Sequence, residues 1–174
     1  HFFINNSAVA AMRLRRAHDR VAVLDVDVHH GNGTQGIFYA RADVLTVSVH
    51  ADPSGFYPFY CGHAHERGEG AGFGANLNLP LPQGSGDAAW LDALRRGLAA
   101  VQAFRPGAMV LALGLDAHVS DPFKGMAVTT EGFRAAGRLI GACPIPTAIV
   151  QEGGYLSADL TDTLAAFLTG LTEA

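Results

Sequence analysis

One short segment of the chain combines carboxylates and imidazoles at the end of an apolar run. The segment, residues 25–33, reads Asp-Val-Asp-Val-His-His-Gly-Asn-Gly. If residues 21–27 form a strand, the alternation of its side chains places Asp25, Asp27 and His29 on one side. Two carboxylates and an imidazole that meet in one place repel and desolvate each other unless a cation lies between them. The residue types and their spacing therefore predict a site for a divalent metal ion.

This segment also has an explanation that needs no metal. Asp25 could cap a turn, Asp27 could form an ion pair, and His29 and His30 could be surface residues beside a glycine-rich loop. The residues in front of the segment favour the metal site. The apolar run at 21–24 is rich in β-branched residues and is typical of a strand buried in a parallel sheet.

A second apolar run carries another carboxylate at its end. Residues 108–114 are typical of a buried strand, and Asp116 follows two positions later. In open α/β sheets, ligands bind in the crevice outside the carboxyl ends of the strands. We therefore expect Asp116 to lie in the same crevice as Asp27 and His29.

A third apolar run, at residues 146–150, is followed by a glutamate, two glycines and Tyr155. The glycine pair, Gly153 and Gly154, allows backbone torsions closed to other residues and brings Tyr155 to the mouth of the sheet. A tyrosine hydroxyl at this place can donate a hydrogen bond to a carbonyl oxygen. The alternative is a partly buried packing aromatic whose hydroxyl is satisfied within the protein.

Helical and strand patterns alternate along the chain, which predicts an α/β fold with a doubly wound, mostly parallel sheet. Strands are predicted at residues 21–27, 44–49, 76–80, 108–114 and 146–150. Helices are predicted at residues 6–17, with Asn6 or Ser7 as the cap, and at 33–39, 86–104, 130–142 and 157–171. The glycine-rich loop at residues 51–75 is long enough for a functional role, and we expect it to surround the mouth of the site.

Two further patterns give no ligand prediction. Residues 70–75 match the glycine spacing of a dinucleotide-binding turn, but they precede a predicted strand instead of following one. The apolar face of the helix at residues 86–104 is interpreted as core and not as a cofactor site.

The composition is that of a globular α/β domain. The 174 residues include 49% hydrophobic and 16% charged residues, 21 glycines and a net charge of −4. This charge argues against a nucleic-acid surface. No apolar run reaches the length of a transmembrane helix, and no signal peptide is visible. Two unpatterned cysteines argue against a disulfide framework, so we expect one cytoplasmic domain without nucleic-acid or membrane partners.

Taken together, these segments resemble the zinc-dependent histone deacetylase superfamily, most closely its acetylpolyamine amidohydrolase branch. The resemblance rests on residues 3–8, 25–38, 47–53, 114–116, 121–122 and 152–155. It runs from the first residue almost to the last. It implies a three-layer fold of the arginase and deacetylase type, present here as a partial domain.

The resemblance implies a role for most of the polar residues named above. Asp27, His29 and Asp116 match the three zinc ligands, and one nitrogen and two oxygen donors leave open positions on zinc, as a catalytic site requires. Asp25 matches a residue that holds a catalytic histidine. Asn32 stands where some relatives have a second aspartate for the other catalytic histidine. A structural potassium ion would be held by Asp25, Asp27, His29, Ser48 and Val49.

The resemblance also assigns residues to catalysis and to the substrate channel. Tyr155 matches the tyrosine that, with zinc, polarises the amide carbonyl and stabilises the oxyanion. Tyr57 and Phe56 match one wall of the acyl channel, and His1 matches the other wall, where relatives have phenylalanine or tyrosine. Gly154 lies beside Tyr155 in the same channel. The two loop aromatics could instead cover an edge of the core.

One part of the family's machinery has no match in this sequence. The general base and its electrostatic partner are a His-His pair in a Gly-His-His segment upstream of the first helix. His29 and His30 are not that pair, because His29 stands at the metal-ligand position. The chain also starts at His1 without a methionine, which suggests truncation. We therefore expect residues 1–174 to be the carboxyl-terminal part of a single deacetylase catalytic domain, inactive alone.

The predicted function is zinc-dependent hydrolysis of the acetyl amide of acetylated polyamines or acetyl-lysine, with release of acetate. A protein lysine deacetylase of the histone type is the first alternative. The second is a non-catalytic fragment that binds metal or acyl-lysine, because the upstream histidine pair is absent. Arginase-type ureohydrolases are disfavoured, since their second metal needs an aspartate where this chain has Gly31. The expected partners are a small acetylated amine or acetyl-lysine substrate and a second copy in a homodimer.

Overall fold

The fold is built on one parallel β-sheet. The computed structural model describes residues 4–174. The strands are β1 Val21–Asp25, β2 Val44–Ala51, β3 Asn76–Leu81, β4 Ala108–Leu113 and β5 Thr147–Gln151. Each neighbouring pair is parallel, and the order across the sheet is β3-β2-β1-β4-β5. Since the chain order reverses between β1 and β4, the carboxyl ends of these two strands flank the crevice where such folds bind ligands.

Helices cover both faces of the sheet. They are α1 Asn6–Leu14, α2 Asn32–Phe38, α3 Asp87–Phe104, α4 Thr130–Gly141 and α5 Leu160–Thr172. Helices α1 and α2 pack on one face of the sheet, and α3 packs on the other, where it also contacts α4. Helices α4 and α5 pack against each other. The predicted three-layer, doubly wound α/β architecture is confirmed.

The strand residues alternate between two apolar clusters. In β1, Leu24 packs into the cluster that α3 covers, while Val21 and Val23 pack into the cluster that α1 covers. Every residue of β1 is buried, as expected for a central parallel strand with helices on both faces. This double burial fixes the register of β1 and so fixes where the chain leaves the sheet.

The end of β1 differs from the prediction. The strand was expected to reach residue 27, but it ends at Asp25. Asp27 and His29 therefore lie in the turn after the strand. The predicted alternation of side chains nevertheless continues beyond the strand, because Val26 and Val28 pack with Leu24 in the cluster that α3 covers.

The start of α1 also differs from the prediction. Its cap is Asn5, whose Oδ1 accepts the backbone N–H of Ala8 at 2.7 Å. Asn6 and Ser7 were the predicted caps, but both lie inside the helix. The helix is also shorter than predicted and ends at Leu14.

Residues 52–75 form the long predicted loop between β2 and β3. The loop contains a single turn of 3₁₀ helix at Gly70–Gly72, after which the chain enters β3. The glycine-rich stretch therefore does not lie between a strand and a helix, as a dinucleotide-binding turn would require. Within residues 4–174, no helix is both long and apolar enough to cross a membrane.

Candidate functional site

Three predicted metal ligands meet at the carboxyl ends of β1 and β4. Asp27, His29 and Asp116 each offer one ligand atom, and these atoms lie within 4.8 Å of one another. Nδ1 of His29 lies 3.0 Å from Oδ1 of Asp27 and 3.2 Å from Oδ2 of Asp116. The turn after β1 supplies the first two residues, and the segment after β4 supplies the third. The cluster therefore occupies the crevice at the reversal of strand order.

Asp116 is held rigidly but keeps one oxygen free for a ligand. Its Oδ1 accepts the backbone N–H of Val28 at 2.9 Å. Its Oδ2 is fully buried and accepts no well-formed hydrogen bond from the residues the structure describes; it faces the imidazole of His29. A buried carboxylate oxygen without a donor is costly, and a cation at this point would remove that cost.

The electrostatics of the cluster agree with a cation site. Burial and the charge of Asp27 raise the pKa of Asp116 to about 6. Burial alone would lower the pKa of His29, but its close contacts with the carboxylates of Asp116 and Asp27 outweigh burial and raise that pKa to about 9. The two carboxylates thus stabilise positive charge at the imidazole nitrogen. A divalent metal competes with the proton for the same place.

Two glycines leave the space that a ligand needs. A Cβ atom at Gly153 would lie 2.1 Å from Oδ2 of Asp116 and 2.4 Å from Oδ2 of Asp27. A Cβ atom at Gly114 would lie 2.7 Å from Oδ2 of Asp27. The donor set, the buried oxygen and this glycine cradle together fit a divalent metal ion bound by Asp27, His29 and Asp116.

Asp25 lies behind this cluster and not within it. Its Oδ1 accepts the backbone N–H of Asp27 at 3.0 Å, which shapes the turn that carries the ligands. Burial, and then the charge of Asp27, raise the pKa of Asp25 well above its usual value. Asp25 and Ser48 line one small buried cavity, and Ser48 Oγ accepts the N–H of Gly31 at 3.3 Å. The adjoining Val49 is fully buried, so these residues predicted for a monovalent cation lie close together.

His30 points away from the metal cluster into the protein. It is buried, and its Nε2 lies 3.0 Å from Oε1 of Gln35. Its ring packs on that of His50 with centroids 4.7 Å apart. The alternative that His30 is a surface residue is wrong. Asn32, the first residue of α2, is exposed to solvent.

A buried polar network extends from His30 beneath the loop at residues 52–75. Gln35 is its centre: Oε1 accepts from Nδ2 of Asn76 at 3.0 Å and of Asn78 at 2.8 Å, and Nε2 donates to Oε2 of Glu66 at 2.5 Å. Burial would raise the pKa of Glu66, but the N–H donors around it hold that pKa below its usual value. The network ties the loop to α2 and β3.

His50 joins the same loop to β2. Its Nε2 donates to the carbonyl oxygen of Gly62 at 2.8 Å, and its Nδ1 lies 2.8 Å from Oγ of Ser48. Burial, reinforced by His30, lowers the pKa of His50 to about 4. This network was not predicted from the sequence. The one signal for it was a pair of asparagines, Asn76 and Asn78, at alternate positions of a strand where apolar side chains are usual.

Aromatic rings of the long loop lie against the metal cluster. Phe56 stacks on His29 with ring centroids 5.1 Å apart. Tyr57 meets the same imidazole edge-on at 6.1 Å, and 42% of its surface is exposed. Both were predicted to line the substrate channel, and the structure places both at the cluster. His1, predicted for the opposite wall, lies outside the described residues.

Tyr155 stands at the open side of the cluster. It is 39% exposed, and burial and the charges of Asp116 and Asp27 raise the pKa of its hydroxyl. Its ring meets Phe123 edge-on at 4.7 Å, and Phe123 meets His29 edge-on at 5.7 Å. The preceding residue, Gly154, has a φ of 139°, which favours glycine.

Phe123 was not predicted as a site residue. It follows the Asp-Pro pair at residues 121–122, which was noted only as part of the family resemblance. Its contact with His29 joins residues that are distant in sequence and depends on the fold. The proximity of that pair to the ligand Asp116 was the only available signal.

Two polar residues at the start of α1, Asn5 and Ser7, connect this helix to the site. Asn5 Nδ2 donates to Oγ1 of Thr34 at 2.9 Å, at the start of α2. Ser7 Oγ donates to Oε1 of Glu152 at 2.5 Å, just before the glycine pair. Helix α1 is thereby linked to both the metal segment and the tyrosine segment.

Comparison with known proteins gives the family. The family model of the histone deacetylase domain matches residues 2–171. The chain belongs to the histone deacetylase family. An acetylpolyamine amidohydrolase of Burkholderia pseudomallei is 51% identical over 168 residues, which are 97% of this chain and 49% of that protein. A crystal structure of the acetylpolyamine aminohydrolase from the same organism matches with a TM-score of 0.95 and 51% identity, over 97% of this chain and 49% of the other.

A histone deacetylase-like amidohydrolase of Pseudomonas aeruginosa is 44% identical over 164 residues, which are 90% of this chain and 43% of that protein. The predicted resemblance to the deacetylase superfamily and to its acetylpolyamine amidohydrolase branch is confirmed. Both relatives are amidohydrolases by name. The chain spans about half the length of the relatives it matches.

Proposed function

We propose that the complete protein hydrolyses the acetyl amide of acetylated polyamines, or of acetyl-lysine, in a zinc-dependent reaction that releases acetate. The observation that carries this proposal is the convergence of Asp27, His29 and Asp116 beside Tyr155. One imidazole and two carboxylates match a catalytic metal site better than a structural one, because they leave coordination positions open.

The residues of this chain divide the work between them. Asp27, His29 and Asp116 would hold the metal ion, which supplies Lewis-acid polarisation of the amide carbonyl and a lowered pKa of water. The raised pKa of Tyr155 keeps its hydroxyl protonated at neutral pH. It can therefore donate a hydrogen bond to the carbonyl oxygen as negative charge develops there. Phe56, which stacks on His29, would exclude water from one side of the reacting group.

The proton acceptor is not among the histidines of this cluster. His29 faces the two carboxylates, and His30 and His50 are buried in the polar network. We propose that the base is a histidine of the complete protein outside this chain, and that residues 1–174 are part of one catalytic domain without activity of their own.

We further propose a structural potassium ion behind the metal cluster. Asp25 and Ser48 line one buried cavity, and Asp25 accepts the backbone N–H of Asp27. Buried oxygen donors of this kind suit a hard monovalent cation. The ion would stiffen the turn that carries Asp27 and His29.

The proposed substrate class rests on the shared chemistry of two candidates. Acetylated polyamines and acetyl-lysine both present an acetamide on an aminoalkyl chain, and an apolar chain can pack between Phe56, Tyr57 and Phe123. Relatives named acetylpolyamine amidohydrolase favour the small amine. The relative named histone deacetylase-like amidohydrolase supports a protein deacetylase as the second candidate.

The test is an acetate-release assay on the complete, zinc-loaded protein. N-acetylputrescine and an acetyl-lysine peptide are compared at matched concentrations, with Asp116→Asn as the metal-site control. The proposal predicts turnover that depends on zinc, prefers the acetylated amine, and is lost in the variant. Stoichiometric zinc binding without turnover of either substrate would contradict it.

A further inference from the structure

A second buried aspartate lies close to the site but outside the metal cluster. Asp121 is 2% exposed and lies in the segment between Asp116 and α4. Its Oδ1 accepts the backbone N–H of Phe123 at 2.9 Å. The backbone N–H of Tyr155 also interacts with this carboxylate and counteracts the rise that burial causes in the pKa of Asp121. One buried side chain therefore joins the segment after β4 to the segment after β5.

The segment that carries Asp121 is itself firmly held. The backbone N–H of Asp121 donates to the carbonyl of His118 at 2.9 Å, and the Asp121 carbonyl accepts the N–H of Lys124 at 3.2 Å. The imidazole of His118 lies 2.7 Å from Oγ of Ser120 and 3.1 Å from Oγ1 of Thr130. Asp121 is thus a fixed point from which another loop can be positioned.

The backbone contacts of the tyrosine segment lie before Tyr155. Glu152 N–H donates to the carbonyl of Leu113, and the Gly153 carbonyl accepts the N–H of Leu115, both at 2.9 Å. Beyond them, Gly154 is in the permissive left-handed region, and Leu156 is 96% exposed. The interaction of the Tyr155 N–H with Asp121 lies where the main chain would otherwise be least constrained.

Asp121 interacts with Tyr155 itself and with the residue whose ring packs on Tyr155. It interacts with the backbone N–H of Tyr155. It also fixes the backbone of Phe123, whose ring meets that of Tyr155 at 4.7 Å. A carboxylate suits this task because both of its oxygens accept hydrogen bonds. An asparagine offers one accepting oxygen and turns an N–H toward the other donor.

We propose that Asp121 is a positioning residue that places the Tyr155 hydroxyl for catalysis, an inference that rests on the function proposed above. Misplacement of a catalytic group by about 1 Å can lower a rate by about 100-fold. Loss of the Asp121 carboxylate should therefore lower kcat while the metal ligands remain in place.

The first test is a double-mutant cycle in the complete, zinc-loaded protein. Asp121→Asn is expected to lower kcat by about 10- to 100-fold with zinc affinity unchanged. In a Tyr155→Phe background the same substitution should cause no further loss, because the group that it positions is gone. Equal losses in both backgrounds, or lost zinc binding, would overturn the proposal.

Asp87→Asn is the matched control for this cycle. Asp87 also bridges two segments through its carboxylate, since Oδ1 accepts the backbone N–H of Thr129 at 2.8 Å and Oδ2 accepts its hydroxyl at 2.7 Å. It lies in the first turn of α3, outside the site. The control substitution should leave kcat unchanged relative to each of the two backgrounds, wild type and Tyr155→Phe.

A second test separates this inference from the proposed function. Amide hydrogen exchange in Asp121→Asn should be faster at Tyr155 and Phe123 than in the wild type, with other protected amides unchanged. If the wild type shows no turnover, the proposed function fails, and the exchange data still decide the positioning role. Unchanged exchange at both amides would contradict that role.

Discussion

The backbone N–H of Gly153 donates a hydrogen bond to Oδ2 of Asp27 at 2.8 Å. This bond links the segment after β5 to the segment after β1 and brings a main-chain atom against a metal-ligand carboxylate. The approach is so close that no side chain fits at position 153. The glycine is therefore required by the space around the two carboxylates, while its neighbour Gly154 is required by its backbone torsion.

Gly153→Ala should abolish stoichiometric zinc binding. A methyl group there would lie 2.1 Å from Oδ2 of Asp116, so the carboxylates must move apart. The measurement is zinc content and affinity of the purified protein. Gly36→Ala is the matched control, because a Cβ at this exposed position in α2 meets nothing within 4 Å; it should bind zinc like the wild type.

Asp116→Asn should remove the stabilisation that zinc gives without destabilising the metal-free protein. The buried carboxylate is raised in pKa to about 6, so above that pH its ionised form opposes folding, and a neutral amide removes this penalty. The wild type should gain about 2.7 kcal/mol at zinc one hundred times its Kd. Thermal unfolding with and without zinc measures both effects, and a zinc-dependent shift in the variant would refute the ligand role.

Tyr155→Phe should lower kcat by about 100- to 1000-fold in the complete protein, the usual loss for one oxyanion donor. Zinc affinity should not change, because the hydroxyl is not among the three ligand groups. Steady-state kinetics and zinc titration measure the two quantities. Tyr60→Phe removes a hydroxyl from a side chain that is 92% exposed and should leave both unchanged; equal effects in the two variants would count against Tyr155.

The stability of the protein should decrease as the pH is lowered, because His50 becomes protonated. Burial lowers its pKa from 6.5 to about 4, so the unfolded chain takes up the proton first. Stability is fully present above pH 6.5 and is lost as the pH falls toward 4. Between pH 6.5 and 4, the free energy of unfolding should fall less in His50→Gln than in the wild type. The difference between the two proteins should be at most about 3 kcal/mol.

Denaturant unfolding at several pH values checks this prediction. His65→Gln, at an exposed position of the same loop, is the control and should follow the wild-type curve. A wild type and a His50→Gln variant with parallel curves would show that His50 does not carry the pH dependence.

The metal cluster was predictable because its parts are local or follow a general rule. Asp27 and His29 stand two residues apart after an apolar strand, and Asp116 follows another. In a doubly wound sheet the ends of such strands meet. The exact point at which β1 ends was not predictable from the alternation pattern. Val26 and Val28 nevertheless keep the alternation beyond that point, in the same apolar cluster as Leu24.

The rim of the site depends on tertiary contacts that the sequence pattern does not contain. Phe123 reaches His29 only because the segment after β4 folds over the turn after β1. Likewise, Gln35 becomes the centre of a network because α2, β3 and the long loop converge on its carboxamide. Such residues are ordinary in type, and only the fold gives them a role.

The most direct test of the central claim is anomalous diffraction at the zinc edge on the complete protein crystallised with zinc. One peak is predicted, at about 2.0–2.2 Å from a carboxylate oxygen of Asp27, a ring nitrogen of His29 and a carboxylate oxygen of Asp116. An enzyme that turns over its substrate with no peak at these three residues, or with its zinc bound elsewhere, would contradict the account.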